Sequence, residues 1–172
     1  IGVGARGVPA SSSWWVIAAL VIILVGPFLA IHKKLLPKHV AQVLGRIYFW
    51  PTIGLTQLRS WRDGKGLWCE VDETLLLGVA PVAFLDQPSQ LEAQGVRGVV
   101  NLCDEYSGPQ ASYAQLKITQ LRLPNVDHYE PPLEDLLKAV AFIDGFRQRG
   151  LRVYVHCKAG HGRGGAVALA WL

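Results

Sequence analysis

Between Val153 and Val167 the chain reads VYVHCKAGHGRGGAV: a short apolar run, then a cysteine, two histidines, a lysine and an arginine set among glycines. A strand that ends in a thiol and leads through a glycine-rich loop into a helix is built to hold a tetrahedral anion. Gly160, Gly162 and Gly164 let successive N–H groups turn inward, and the helix adds its positive end. Each of these features also stabilises negative charge on a sulfur. Arg163, six positions after Cys157, can fold back across the bowl and grip two phosphate oxygens with its fork. Cys157, Lys158, Ala159, Gly160, His161, Gly162 and Arg163 are therefore the expected phosphate-binding loop, with the sulfur placed for in-line attack on phosphorus. A nucleotide P-loop is excluded, because GxxxxGK[ST] is not met.

The flanking sequence supplies the frame. TLLLGVA (74–80) reads as a strand, QPSQLEAQG (87–95) as a helix closed by Gly95, and VRGVVNLC (96–103) as a strand buried on both faces. ITQLRLP (118–124) alternates as a strand. LEDLLKAVAFIDGFRQRG (133–150) repeats apolar residues at 133, 136, 137, 140 and 143, with Pro132 at its start and Gly150 at its end, so it reads as a helix. LRVYVH (151–156) is a further strand and GGAVALAWL (164–172) opens a last helix. Strands alternating with helices predict an α/β fold with a central, mostly parallel sheet flanked by helices. Ligands of such sheets lie at the carboxyl ends of the strands, where Cys157 falls.

The N-terminal part differs in composition. Residues 1–13 are small and polar and are expected to be disordered. WWVIAALVIILVGPFLAI (14–31) has 18 residues and no charge. At about 1.5 Å per residue this is just enough to span a hydrocarbon core, so a single transmembrane helix is expected. A targeting segment and a buried core helix are the rival readings. Arg6 alone precedes the run, whereas Lys33, Lys34, Lys38, Arg46, Arg59 and Arg62 follow it before the first acid, Asp63. That bias predicts a single-pass protein with its C-terminal domain on the cytoplasmic side, or the organellar equivalent. The basic stretch 32–66 reads as a juxtamembrane segment favouring anionic headgroups, against the plainer alternative of a solvated linker. Cys69, Cys103 and Cys157 are odd in number and make no CxxC pair, a poor disulfide framework that fits a reducing compartment. The chain starts at Ile1, has no methionine and stops inside a predicted helix, so it is expected to be truncated.

HCKAGHGR resembles the HCx5R signature of the cysteine-dependent protein tyrosine phosphatase superfamily, and the short domain, 67–172, is most similar to its dual-specificity branch. The resemblance implies a phosphatase-like fold and metal-independent, cofactor-independent chemistry. In this reading Cys157 forms a phosphocysteine intermediate, His156 shapes the loop, and Arg163 binds substrate and transition state. It also implies a general acid about thirty residues upstream. Asp127 in LPNVDHYEPP fits, with Asp104 and Glu130 as alternatives. One departure is Gly164, where the family usually carries a Ser or Thr whose hydroxyl helps the sulfur leave.

The implied function is hydrolysis of phosphomonoesters, first of phosphotyrosine, phosphoserine or phosphothreonine in proteins. The alternative is a lipid phosphate, or a phosphate-binding pseudophosphatase. Lys158 and His161 are either solvated rim charges or readers of a second negative group. CKAGHGR is similar to loops of phosphoinositide phosphatases, and GVRGVVNLCDEYSGP to the matching region of phosphatidylglycerophosphate-type phosphatases. His156, Cys157 and His161 lack a fourth metal ligand, so no metal is expected, and nothing points to nucleic acid. A sulfurtransferase is a third possibility that would make little use of Asp127.

Overall fold

The computed structural model describes residues 33–62, 64 and 66–172, together with positions 14, 15, 18, 22, 25–27 and 29–31. The expectation for 1–13 lies outside the described residues. From Trp68 onward the chain forms a five-stranded sheet: β1 Trp68–Glu70, β2 Leu75–Gly78, β3 Val96–Cys103, β4 Thr119–Asn125 and β5 Arg152–His156. Their order is β1-β2-β5-β3-β4, and only the β1–β2 pair is antiparallel. The helices are α1 Lys38–Arg62, α2 Gln87–Ala93, α3 Gln110–Gln115, α4 Leu133–Arg147 and α5 Gly162–Trp171.

The central strands are continuous apolar runs because both sheet faces are covered. In β3 every residue except Arg97 is buried. The alternation of β5 divides the core: Val153, Val155 and then Cys157 pack with Ile143, Phe146 and Val167 of α4 and α5. Tyr154 points to the other face, against Leu91 of α2 and Tyr113 of α3. The sheet thus delivers Cys157 at the carboxyl edge, between β2 and β3.

Two expected patterns shift. On α4, Leu133 and Leu137 are 70% and 61% exposed, and the buried stripe is Ala139, Ile143 and Phe146 instead. Phe142 and Phe146 set this rotation, because their rings sit over Gly98 of β3, where a Cβ would lie 3.0–3.1 Å from them. Gly150, at φ +65°, then closes the helix, with Leu151 N–H donating to Phe146 O at 3.0 Å.

The larger correction is N-terminal. Among the described residues no helix is long and apolar enough to cross a membrane. The single-pass topology and cytoplasmic-side placement read from 14–31 are therefore not upheld, and much of that segment lies outside the described residues. The basic stretch behind it forms α1, whose 25 residues include Lys38, Arg46, Arg59 and Arg62. One face of α1 is buried on the domain: Phe49 stacks on Tyr106 at 4.6 Å between centroids, in a cluster with Ile53, Val82 and Cys103. Gln57 donates to Ala80 O at 3.0 Å, and Arg46 holds the Asp104 carboxylate at 3.0 and 3.1 Å.

Candidate active site

The loop after β5 is fixed from behind. Gly160 sits at φ +72°, and a Cβ there would lie 2.6 Å from the carbonyl carbon of Gly78. Loop and β2 end therefore pack backbone on backbone, which only glycine permits. Ala80 N–H donates to Lys158 O at 3.2 Å and fastens the same junction. Among the described residues, no backbone N–H of 158–163 donates to a backbone carbonyl. Cys157 is buried at the base of the bowl.

Arg163, which lines the same cleft, is buried. Its guanidinium donates to Glu105 through both nitrogens, at 2.7 and 2.9 Å, to Asn125 O at 2.6 Å and to Asp127 Oδ1 at 2.8 Å. Burial works against this charge, but the hydrogen bond and charge of Glu105, with Asp127, outweigh it and push the Arg163 pKa up. The arginine is a permanent, immobilised cation.

The three acidic candidates separate by their contacts. Asp104 is turned to α1, where Arg46 and Gln42 occupy its oxygens. Burial raises its pKa, yet these hydrogen bonds prevail and hold it below the ordinary value. Glu130 is exposed and paired with Lys34 at 2.7 Å, which lowers its pKa. Asp127 alone of the three faces Arg163, and it lines the same cleft as Cys157. Glu105 was not singled out in the sequence. A buried guanidinium demands a carboxylate partner, and DEY directly after β3, at the sheet edge that holds the loop, was the available signal.

A dual-specificity phosphatase catalytic-domain model matches residues 75–172, more than half of the chain. The chain belongs to the dual-specificity phosphatase family. It is 35% identical over 132 residues to the Arabidopsis thaliana phosphatidylglycerophosphate phosphatase PTPMT2, covering 74% of this chain and 57% of that one. It is 33% identical to the Homo sapiens phosphatidylglycerophosphatase and protein-tyrosine phosphatase 1 over 138 residues, 75% of this chain and 68% of the human protein. Among solved structures, PTPMT1 in complex with PI(5)P superposes with a TM-score of 0.57 at 30% identity, over 62% of this chain and 71% of that one. The chain thus spans little more than half of the plant relative.

Within this dual-specificity phosphatase domain the cleft over Cys157 has a volume of about 490 Å³. Its floor is the loop from Cys157 to Arg163, and one wall is the segment from Asp127 to Pro131. The opposite wall is α1, through Gly45, Tyr48, Thr52 and Thr56. Those four positions share one helix face, a pattern that was present in the sequence but hidden by reading the stretch as juxtamembrane. Lys158 and His161 also line the cleft. Burial pushes the Lys158 pKa down, opposed by Asp127 and Glu105.

Gly164 and His156 complete the surroundings. A Cβ on Gly164 would lie 3.9 Å from Cys157 Sγ and 2.8 Å from Leu77 Cδ1, the end of a flexible side chain. His156 is wholly buried, with Nδ1 3.3 Å from Cys157 O and Nε2 without a partner among the described residues. A carbonyl neighbour assigns the proton to Nδ1, leaving Nε2 as a bare lone pair. Burial pushes the His156 pKa down to about 3, so the imidazole is neutral and acts on the loop through that carbonyl rather than through charge.

A stability prediction follows from His156. The unfolded chain takes up a proton near 6.5 that the folded one refuses until about 3, so stability falls as pH drops through this window. By pH 5 the loss is about 2 kcal/mol. Denaturant unfolding at pH 7 and pH 5 measures it, and His156→Gln is expected to remove that component of the pH dependence.

Proposed function

We propose that the protein is a cysteine-dependent lipid phosphatase that removes the terminal phosphate from an anionic phospholipid of the phosphatidylglycerophosphate or phosphoinositide kind. The observation that carries this reading is the cleft. The loop residues Cys157, Lys158, His161 and Arg163 share it with the α1 residues Gly45, Tyr48, Thr52 and Thr56, so that Lys158 and His161 are placed to meet a second negative group on a substrate larger than phosphate. The names of the plant and human relatives support the lipid alternative over the phosphoprotein expected first from the sequence.

In the proposed mechanism the substrate phosphate displaces Asp127 from Arg163 and settles among the N–H groups of 158–163. The Cys157 thiolate attacks phosphorus in line, forming the S–P bond as the ester P–O bond breaks. The Asp127 carboxyl gives its proton to the departing alkoxide, which leaves as the alcohol. Water then attacks the phosphocysteine, Asp127 takes up its proton, and the S–P bond breaks to release phosphate and thiolate. Arg163, clamped by Glu105, holds the equatorial oxygens throughout.

The test is a substrate panel. Short-chain phosphatidylglycerophosphate and phosphatidylinositol 5-phosphate are expected to be cleaved with kcat/KM at least about 100-fold above a phosphotyrosine peptide. Equal or better hydrolysis of the peptide would return the reading to a protein phosphatase.

Gly164 favours one second reading, a phosphate trap that forms the phosphoenzyme and releases it slowly. The gap beside Cys157 Sγ fits a hydroxyl, and Leu77 can yield to it. A hydrogen bond to the leaving sulfur worth about 1.4 kcal/mol speeds that step about tenfold. Gly164→Ser is therefore expected to raise steady-state turnover about tenfold while leaving the pre-steady-state burst unchanged, as read by stopped-flow on an aryl phosphate.

A further inference from the structure

Asp104 and Glu105 are adjacent in the bend that follows β3, yet their side chains part. Glu105 meets both terminal nitrogens of Arg163 at 2.7 and 2.9 Å, whereas Asp104 is turned to α1. Gln42 donates to Asp104 Oδ1 at 2.9 Å, and Arg46 reaches both oxygens, through Nε at 3.0 Å and Nη2 at 3.1 Å. The backbone of the same residue is held as well. Its N–H donates to Asn125 O at 3.2 Å, and its carbonyl accepts from Arg122 Nη2 at 3.1 Å. Every polar group of Asp104 therefore has a partner.

These ties lead to the holders of Arg163. Asn125 O, which takes the Asp104 N–H, also accepts from Arg163 Nη1 at 2.6 Å. Glu105 is one planar, stiff peptide unit away, so a shift of Asp104 carries Glu105 with it. Carboxylates on neighbouring residues repel, and both of these are largely withdrawn from water, the Asp104 side chain being 10% exposed. The pair is stable because each has its own guanidinium, Arg46 on one side and Arg163 on the other. Without Arg46 the Asp104 side chain would keep only the neutral amide of Gln42, and the bend would have to open to hydrate it. Gln42 and Arg46 both precede residues 75–172, so this grip comes from outside the part that the family model matches.

We propose that Asp104, gripped by Gln42 and Arg46 of α1, is a positioning residue for phosphoryl transfer: it fixes the bend from which Glu105 aims the Arg163 fork. Its effect falls on the transition state. A loosely held guanidinium still attracts a phosphate dianion, but stabilising five-coordinate phosphorus requires donors already in place. The proposal rests on phosphoryl transfer at Cys157 and holds whether the phosphate is carried by a lipid or a protein.

The experiment uses the full chain with Arg46→Gln, a position more than half exposed, and with Arg46→Lys as the conservative variant. On a soluble aryl phosphate, Arg46→Gln is expected to lower kcat about tenfold with KM within about twofold, and Arg46→Lys to recover part of the loss. Vanadate, which adopts the five-coordinate geometry, should inhibit Arg46→Gln about tenfold more weakly, while competition by inorganic phosphate stays unchanged. Added to Glu105→Gln, Arg46→Gln should cost no more than about twofold, because its effect runs through Glu105. An unchanged kcat, equal losses of vanadate and phosphate affinity, or the full effect of Arg46→Gln in the absence of the Glu105 carboxylate would each overturn the proposal. Preference for a phosphopeptide, with the vanadate effect present, would sink the lipid reading and leave this one standing. Lipid cleavage with an unchanged ratio of vanadate to phosphate affinity would do the reverse.

Discussion

Arg163→Lys is expected to lower kcat/KM by about 10³-fold, through loss of oriented donors that act on the transferring phosphoryl group. Lysine keeps the charge but not the fork. In the native loop one guanidinium meets both oxygens of Glu105, the carbonyl of Asn125 and Asp127 at 2.6–2.9 Å. An ammonium on a flexible stem cannot reproduce that set, and Glu105 would be left partly unpaired in a site where its side chain is 3% exposed. Glu105→Gln separates the two roles. It keeps the shape but removes the countercharge, and is expected to destabilise the fold by about 3 kcal/mol. Steady-state kinetics on an aryl phosphate, with urea unfolding of each variant, checks both. A near-native rate for Arg163→Lys would mean that charge alone, not the clamped fork, serves the reaction.

Asp127→Asn should show its effect in proportion to the difficulty of the leaving group. General acid catalysis is worth about 10²–10⁴-fold, and the need for it grows with the basicity of the departing oxygen. A glycerol alkoxide needs the proton far more than an activated phenoxide does. The variant is therefore expected to lose about 10³-fold on an alkyl phosphate and about tenfold or less on an aryl phosphate with a good leaving group. The same substitution removes the carboxylate that Arg163 binds at 2.8 Å, so inorganic phosphate should bind the variant at least as tightly as the native chain. A series of leaving groups measured as kcat/KM reads the difference. A loss of equal size across the series would assign Asp127 to substrate binding instead.

The parts of the fold set by local pattern were legible. VRGVVNLC gives β3 to the residue, because β-branched side chains packed on both faces leave one solution. The order of cysteine, glycines and arginine after an apolar strand likewise defined the loop before its geometry was known. Features fixed by tertiary contact were not. Three-residue β1 is too short for any period and exists through its register with β2, from Trp68 opposite Gly78 to Glu70 opposite Leu76. The α4 stripe was misphased because Leu133 and Leu137 are apolar yet exposed, while small Ala139 is buried. α1 was the costliest misreading. Its aromatics and cations look interfacial, and contacts such as Phe49 against Tyr106, Gln57 against Ala80 O and Arg46 against Asp104 show that one side belongs to the domain. Glu105 escaped notice because its importance depends on where Arg163 points, a contact across 58 residues.

The central claim is that the phosphoryl group passes through the Cys157 sulfur. Rapid acid quench of the enzyme during turnover of a ³²P-labelled substrate, followed by peptide mapping, tests it directly. Label is expected on the peptide containing Cys157, to build up further in Asp127→Ala with an aryl substrate, and to vanish in Cys157→Ser. Steady phosphate release by Cys157→Ser, or label carried on a histidine or carboxylate instead, would contradict the account.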